Sequence, residues 1–179
     1  GNGQTELVEA ISGLRPTTGG ALLLVGVDAS GLDVRARSMA GLAHVPEDRQ
    51  RHGLVLPFTV ADNLVLNRYH QPPLAVRGVR QAQAIFGVAR DLVSRFDIRP
   101  PTPQAPVQAL SGGNKQKVII ARELSHGVRA LVAAQPTRGV DVGSIEFIHR
   151  SLVDARDAGA AVLVVSAELG ELLSIADRI

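Results

Sequence analysis

The chain contains no cysteine, which excludes disulfides, thiolate metal sites and thiol redox chemistry and suits a reducing cytoplasm. No run of about 18 apolar residues is present, so no segment reads as a membrane span. The N-terminus lacks the basic, apolar and small-residue order of a secretion signal. The formal net charge is only +2, and the arginines are interspersed with acids rather than gathered in a block, so no nucleic-acid footprint is visible. Internal repeats, low-complexity tracts and sustained heptads are also missing. His44, His52, His70, His126 and His149 are dispersed without metal-ligand spacing, which argues against zinc, and no Ser, His and Asp arrangement suggests nucleophilic hydrolysis.

What is present is 179 residues with 45% hydrophobic content, enough for one globular domain with a buried core. Residue 1 already lies in a glycine-rich turn, and the chain stops at Ala176-Asp177-Arg178-Ile179 without a polar tail. The expectation is a piece of a longer domain, truncated at both ends.

Leu7, Val8 and Ile11 share one helical face within residues 5–12, and Gly13 is placed to end that helix. Ala21 to Val27 and Leu42 to Val45 are strand-length apolar runs. From Thr59 to Asp97 the spacing is mostly helical, with Leu64, Leu66, Val93 and Phe96 as core candidates and Pro72-Pro73 as a break. The four prolines between Arg99 and Gln108 forbid regular structure there. A helix then follows Ser111 to about Ser125. Two strands, Ala130 to Ala134 and Ala160 to Val165, flank a helix from about Ser144 to Ala158, an order that predicts a parallel pair.

Gly1-Asn2-Gly3-Gln4-Thr5 before a helix reads either as the back half of a phosphate-binding loop or as a plain connection. Glycines let N–H groups close around phosphate oxygens, and a helix N-terminus adds positive dipole. Leu110-Ser111-Gly112-Gly113-Asn114-Lys115-Gln116-Lys117 is far more specific and resembles the signature motif of ATP-binding cassette proteins. Ser111 suits a helix cap, and glycines at 112 and 113 leave their N–H groups open to a phosphate. Val45-Pro46-Glu47-Asp48-Arg49 stands at the Q-loop position, Leu131 to Thr137 at Walker B, Gly139-Val140-Asp141 at the D-loop and Val164 to Leu169 at the switch strand. All fall in family order, and Pro-Glu-Asp-Arg, Ser-Gly-Gly-Asn-Lys-Gln-Lys and Pro-Thr-Arg-Gly-Val-Asp-Val-Gly look especially like importers of simple sugars and nucleosides, in which two cassette domains are fused.

The resemblance implies an α/β P-loop NTPase fold: a central, mostly parallel sheet with helices, an antiparallel β region and a small helical subdomain. It makes residues 1–179 one nucleotide-binding domain fragment, with 1–54 and 109–179 as ATPase core and 55–108 as helical subdomain and linker. ATP and Mg²⁺ are the implied cofactors, with Gly1, Asn2, Gly3, Gln4, Thr5, Ser111, Gly112, Gly113 and Asn114 at nucleotide-binding positions and Thr5 at the metal. Implied partners are a preceding nucleotide-binding half, permease subunits near residues Glu47 to Asn63 and, through them, a substrate-binding protein. Nucleic acid is not among them, and the implied location is the cytoplasmic face of the cell membrane.

The pattern is broken at several places. Gln4 replaces the phosphate-binding lysine, Ala134 the Walker B aspartate, Gln135 the glutamate base, Ala167 the switch histidine and Glu47 the Q-loop glutamine, whereas Thr137 and Asp141 fit. An amide neither neutralises phosphate nor accepts a proton near neutral pH. Removing one well-placed electrostatic group commonly costs about 2.7–4 kcal/mol in a transition state, and such losses do not simply add. The expectation is a half that hydrolyses little or no ATP on its own P-loop but serves its partner's ATP through an intact signature. The alternative is a non-catalytic nucleotide-binding or dimer-supporting module. A cassette acting on DNA or ribosomes is disfavoured, because neither coiled-coil arms nor a basic arm is present.

Overall fold

A computed structural model describes residues 3–179, and the chain divides into two compact units. The first comprises Gly1–Glu47, His126–Pro136 and His149–Ile179, and the second Asp48–Ser125 and Thr137–Ile148.

In the first unit, helix α1 (Gln4–Ser12) ends at Gly13, whose φ of 80° is one that glycine adopts without strain. Val8 is its buried anchor, Ile11 is half-buried and Leu7 is exposed, so the inward stripe is narrower than its apolar spacing. The run expected as one strand over Ala21 to Val27 is instead a hairpin. β1 (Leu23–Leu24) pairs antiparallel with β2 (Val27–Asp28) across Val25 and Gly26, both at positive φ. Only Gly26 advertises that turn in the sequence.

Helix α2 (Val34–Met39) is capped by Asp33, whose carboxylate accepts the Ala36 N–H at 2.7 Å. Arg37 on this helix is buried and has carbonyls for partners. It donates from Nε to Leu32 O at 2.8 Å, from Nη2 to Ser30 O at 3.1 Å, and from Nη1 to Ala10 O and Ile11 O at the end of α1. Cationic donors at a helix C-terminus meet orphan carbonyls and the negative end of the dipole together.

β3 (Leu42–Val45), β6 (Ala130–Ala134) and β7 (Ala161–Val165) form a parallel sheet in the order β3-β6-β7. Its register sets Val45 opposite Ala133 and Ala134 opposite Val165. The central strand reads as an unbroken apolar run because Leu131 to Ala134 are all buried, as a parallel strand covered on both faces requires. Val8, Leu24, Ala29, Leu42, Val132 and Ala134 form the core cluster there. Helix α6 (Val142–Asp157) precedes β7, and α7 (Leu169–Ile175) follows it.

In the second unit, α3 (Val60–Leu64), α4 (Ala82–Arg95) and α5 (Gly112–Leu124) pack against one another. Ile85, Ala89, Leu92 and Val93 make the buried stripe of α4 at helical spacing. Leu64, Val93 and Phe96 are buried as expected, and Leu66 is half-buried. Between α3 and α4 lies a hairpin that the helical pattern concealed, β4 (Ala75–Val76) with β5 (Val79–Arg80), turning on Arg77 and Gly78 at φ 50° and 79°. The proline-rich segment has no ladder of its own. It is held to the start of α3 by Val60 N–H to Ala105 O, Ala61 N–H to Pro103 O and Val107 N–H to Phe58 O, each 2.9 Å. Asn63 is fully buried and fastens the preceding loop, accepting the Val55 N–H at 2.9 Å and donating to Thr59 O at 3.0 Å.

Candidate functional site

The motif residues fall into two groups, one in each unit. In the first unit, Gly1 and Asn2 of the glycine-rich turn lie outside the described residues. Gly3 caps α1 at φ 82°, with no side chain bonding the cap, and its carbonyl accepts the Leu7 N–H at 2.9 Å. Gln4 and Thr5 are exposed in the first turn, where N–H groups have no intrahelical partner.

At the far end of β6, Ala134 is buried and Gln135 takes φ 48°, a left-handed conformation unusual outside glycine. Its N–H donates to Val165 O at 2.7 Å, and its side-chain Oε1 accepts the Ala167 N–H at 3.1 Å. Gln135 therefore links the end of β6 to β7 and the segment after it, in part through a neutral amide. Ala167 is exposed, and beyond it Ser166 Oγ accepts the Glu168 N–H at 3.0 Å. Glu47 is exposed after β3. Thr5 supplies a hydroxyl, but Ala134 and Gln135 bring no carboxylate, and no cluster of His, Asp or Glu among the described residues could hold a metal ion. Mg²⁺ at a nucleotide takes most of its oxygens from phosphate and water, so Thr5 would supply one hydroxyl and Ala134 and Gln135 no carboxylate.

The second group is built around the start of α5. Ser111 is its N-cap, with extended backbone at φ −62° and ψ 163°. Its Oγ accepts the Asn114 N–H at 3.3 Å and the Asn114 Nδ2–H at 3.0 Å, while Asn114 Oδ1 accepts the Arg99 N–H at 2.6 Å. Asn114 thus ties the cap to the proline-rich segment. With both lone pairs of Ser111 occupied, what this exposed hydroxyl still offers is its proton.

Gly112 is half-buried and Gly113 is buried, and their lack of side chains has a packing cause. A Cβ on Gly113 would lie 2.1 Å from Ser144 Oγ and 2.4 Å from Asp141 Oδ2. A Cβ on Gly112 would lie 3.2 Å from Gly139 O and 3.4 Å from Arg49 Nη2. The expected reason, openness of the amides to phosphate, is therefore secondary at Gly113 to close approach of the D-loop.

Asp141 begins α6 as a cap. Oδ1 accepts the Ser144 N–H at 3.0 Å and Oδ2 accepts the Ser144 hydroxyl at 2.8 Å. The Ser144 side-chain bond, then its backbone bond, hold the Asp141 carboxyl below the usual carboxylate range, with Lys117 adding attraction. Lys117 on α5 donates to Asp97 O at 2.9 Å, pairs with Asp97 Oδ2 at 3.3 Å and lies 4.8 Å from the Phe147 ring centroid, tethering α5 to the end of α4 and to α6. Arg122 is buried and donates to Glu123 Oε1 at 2.7 Å and Gly53 O at 2.8 Å.

The Arg49 guanidinium donates from Nη1 to Arg138 O at 2.6 Å and from Nη2 to Gly139 O at 2.8 Å, beside Gly112. The available signal was its place in the Pro-Glu-Asp-Arg motif; its acceptors are carbonyls, which carry no residue signature.

The family model for ABC transporter matches residues 1–138. Similar curated proteins include the guanosine import ATP-binding protein NupO of Bacillus subtilis, 46% identical over 179 residues, covering 100% of this chain and 35% of that protein. The nucleoside import ATP-binding protein NupA of Lactococcus lactis is 48% identical over 179 residues, with coverage again 100% and 35%. The chain thus spans about a third of the length of the curated relatives it matches. Among solved structures, a dimeric ATP-binding cassette in a post-hydrolysis state bound to ADP and Pi superposes with a TM-score of 0.76 at 21% identity, covering 94% of this chain and 72% of that one. A nucleotide-free cassette from an ABC transporter gives 0.78 at 18% identity, covering 97% and 69%. These likenesses establish the cassette fold, a P-loop NTPase architecture with a parallel sheet and helices. With the signature motif capping α5 and the family model matching from residue 1 to residue 138, the chain belongs to the ABC transporter family.

Proposed function

We propose that this chain is part of the ATP-binding component of an importer for simple sugars or nucleosides, and that it is the second of two fused nucleotide-binding halves. It would work at the cytoplasmic face of the membrane on permease subunits that receive cargo from a substrate-binding protein. The observation that carries this reading is the contrast between the two groups of motif residues. The α5 end is fully equipped: a capped helix start, an exposed Ser111 with a free hydroxyl proton, and first-turn N–H groups without intrahelical acceptors. The α1 end lacks a lysine, both Walker B carboxylates and the switch histidine.

When bound, ATP supplies the anionic triphosphate whose terminal bond is cleaved. Ser111 and the N–H groups of Gly112 and Gly113 would face the terminal phosphate of ATP seated on the preceding half's P-loop, adding donors and dipole where negative charge is greatest. Gln4 and Thr5 would hydrogen-bond phosphate oxygens of a second nucleotide. Gln135, already bonded to the Ala167 N–H, has no basic group to offer water. This half would therefore act chiefly on its partner's site. The Gln135 link also supports the narrower reading that its own site is a non-catalytic, dimer-supporting element.

The test uses the full-length protein and steady-state ATP turnover. Ser111→Arg should abolish turnover, because the long side chain fills the space in front of the first turn of α5 and the Ser111 cap is lost, whereas Gln4→Ala should retain most of it. The opposite ranking would refute the assignment.

A further inference from the structure

Arg49 opens the π-helical turn Arg49–Gly53, and its fork holds two consecutive carbonyls of the D-loop, Arg138 O at 2.6 Å and Gly139 O at 2.8 Å. The turn that carries it is fixed at both ends. Asp48 Oδ1 accepts the Gln50 and Arg51 N–H groups at 3.0 Å each, and Gly53 O accepts Arg122 Nη1–H from α5. Two glycines make room for the guanidinium. A Cβ on Gly139, which sits at φ 65°, would lie 3.2 Å from Arg49 Nη2, and a Cβ on Gly112 would lie 3.4 Å from the same atom.

Both acceptors are neutral carbonyls, so these contacts are not an ion pair and their value lies in direction. A planar guanidinium places two parallel donors at fixed spacing, whereas an ammonium is a single point. The Gly139 carbonyl that Arg49 grips is also the atom closest to the open side of Gly112. Moving it would change what crowds the first turn of α5.

We infer that Arg49 is a positioning residue: it clamps residues 138–139 beside the first turn of α5 and so sets the orientation of Ser111 and the Gly112 and Gly113 N–H groups. It acts through those groups, by way of the two carbonyls it holds. What those groups face rests on the reading under Proposed function; the clamp does not.

The experiment uses the full-length protein with Arg49→Ala, Arg49→Lys and, as control, Arg90→Ala on the exposed side of α4. Amide hydrogen exchange of the nucleotide-free protein is read over residues 111–115 and 137–144, together with KM and kcat for ATP. Arg49→Ala and Arg49→Lys should both speed exchange in those segments roughly tenfold and lower kcat/KM by about the same factor through a raised KM, with Arg90→Ala unchanged. Lysine should fail to rescue, because one ammonium cannot replace the fork. A role in fold support alone would lower the active fraction, and with it kcat, at constant KM, and would spread faster exchange over the whole chain. That pattern, or wild-type exchange in Arg49→Lys, overturns the inference. Should Arg49→Ala fail to fold, Arg49→Lys carries the test. If Ser111→Arg leaves turnover intact while Arg49→Lys still loosens 137–144, the functional reading falls and the clamp stands.

Discussion

Gly113→Ala is the perturbation that most sharply separates packing from phosphate access at the signature turn. The added Cβ would be 2.1 Å from Ser144 Oγ, 2.4 Å from Asp141 Oδ2 and 2.9 Å from Ser144 Cβ, far inside van der Waals contact. Neither neighbour is a flexible side-chain end, because the two are bonded to each other as the cap of α6. Relief requires breaking that cap or moving the start of α6. Overpacking of this kind costs about 1–3 kcal/mol, and a lost cap about 1 kcal/mol, so Gly113→Ala should destabilise by roughly 2–4 kcal/mol. Gly112→Ala meets its nearest neighbours at 3.2 and 3.4 Å and should cost less than about 1 kcal/mol. The assay is the denaturant midpoint of the transition that contains this domain, measured in the full-length protein without nucleotide. A double-mutant cycle with Ser144→Ala adds a stricter test. Removing Oγ deletes the shortest clash, so the double variant should be more stable than the sum of the singles predicts. If Gly113→Ala unfolds like wild type and loses only nucleotide affinity, or if the cycle is additive, the packing explanation is wrong.

Asn114→Ala removes both the acceptor for the Arg99 N–H and the Nδ2 donor to Ser111 Oγ, so it should cost about 1 kcal/mol of stability and lower ATP turnover, both read in one purified preparation. The Asp141 and Asp97 carboxyls are held below the ordinary carboxylate range, by Ser144 in the first case and by Arg99 and Lys117 in the second. Because a depressed pKa favours the charged folded form, their contribution is fully present above the unfolded pKa and disappears as pH falls through the folded one. Hydrogen exchange at residues 141–145 and 97–99 should therefore accelerate, relative to the rest of the chain, only when pH drops into and below the carboxylate range. Equal protection at low and neutral pH would contradict this.

How much of this was legible beforehand depended on whether the determinant was local. The strand at Ala130–Ala134 matches the sequence reading to the residue, because a doubly covered parallel strand is written as an uninterrupted apolar run, and its half-exposed neighbour β7 starts one residue later than expected. The start of α5 was equally clear, since Ser111 after a proline segment is both the chemical cap and the visible signal. The two hairpins were not, because Val25 and Arg77 occupy left-handed conformations that nothing in a valine or an arginine announces. Arg37, Arg49 and Arg122 were hidden for a further reason. Each is satisfied wholly or in part by backbone carbonyls outside its own helix or turn, so for Arg37 and Arg49 no complementary acid marks the place in the sequence, and the Glu123 beside Arg122 gives no hint of Gly53 O.

The same distinction explains the two motif groups. At the α1 end the sequence reading rested on residue type, so Gln4, Ala134, Gln135 and Ala167 could be weighed from chemistry alone, and the structure adds that Gln135 accepts the Ala167 N–H through a neutral amide. At the α5 end the residue types agree with the family pattern, and the new information is geometric: Gly113 is glycine because Asp141 and Ser144 lie against it, and Gly112 borders a carbonyl that Arg49 holds. A signature turn packed this closely against the D-loop cannot shift without moving the start of α6.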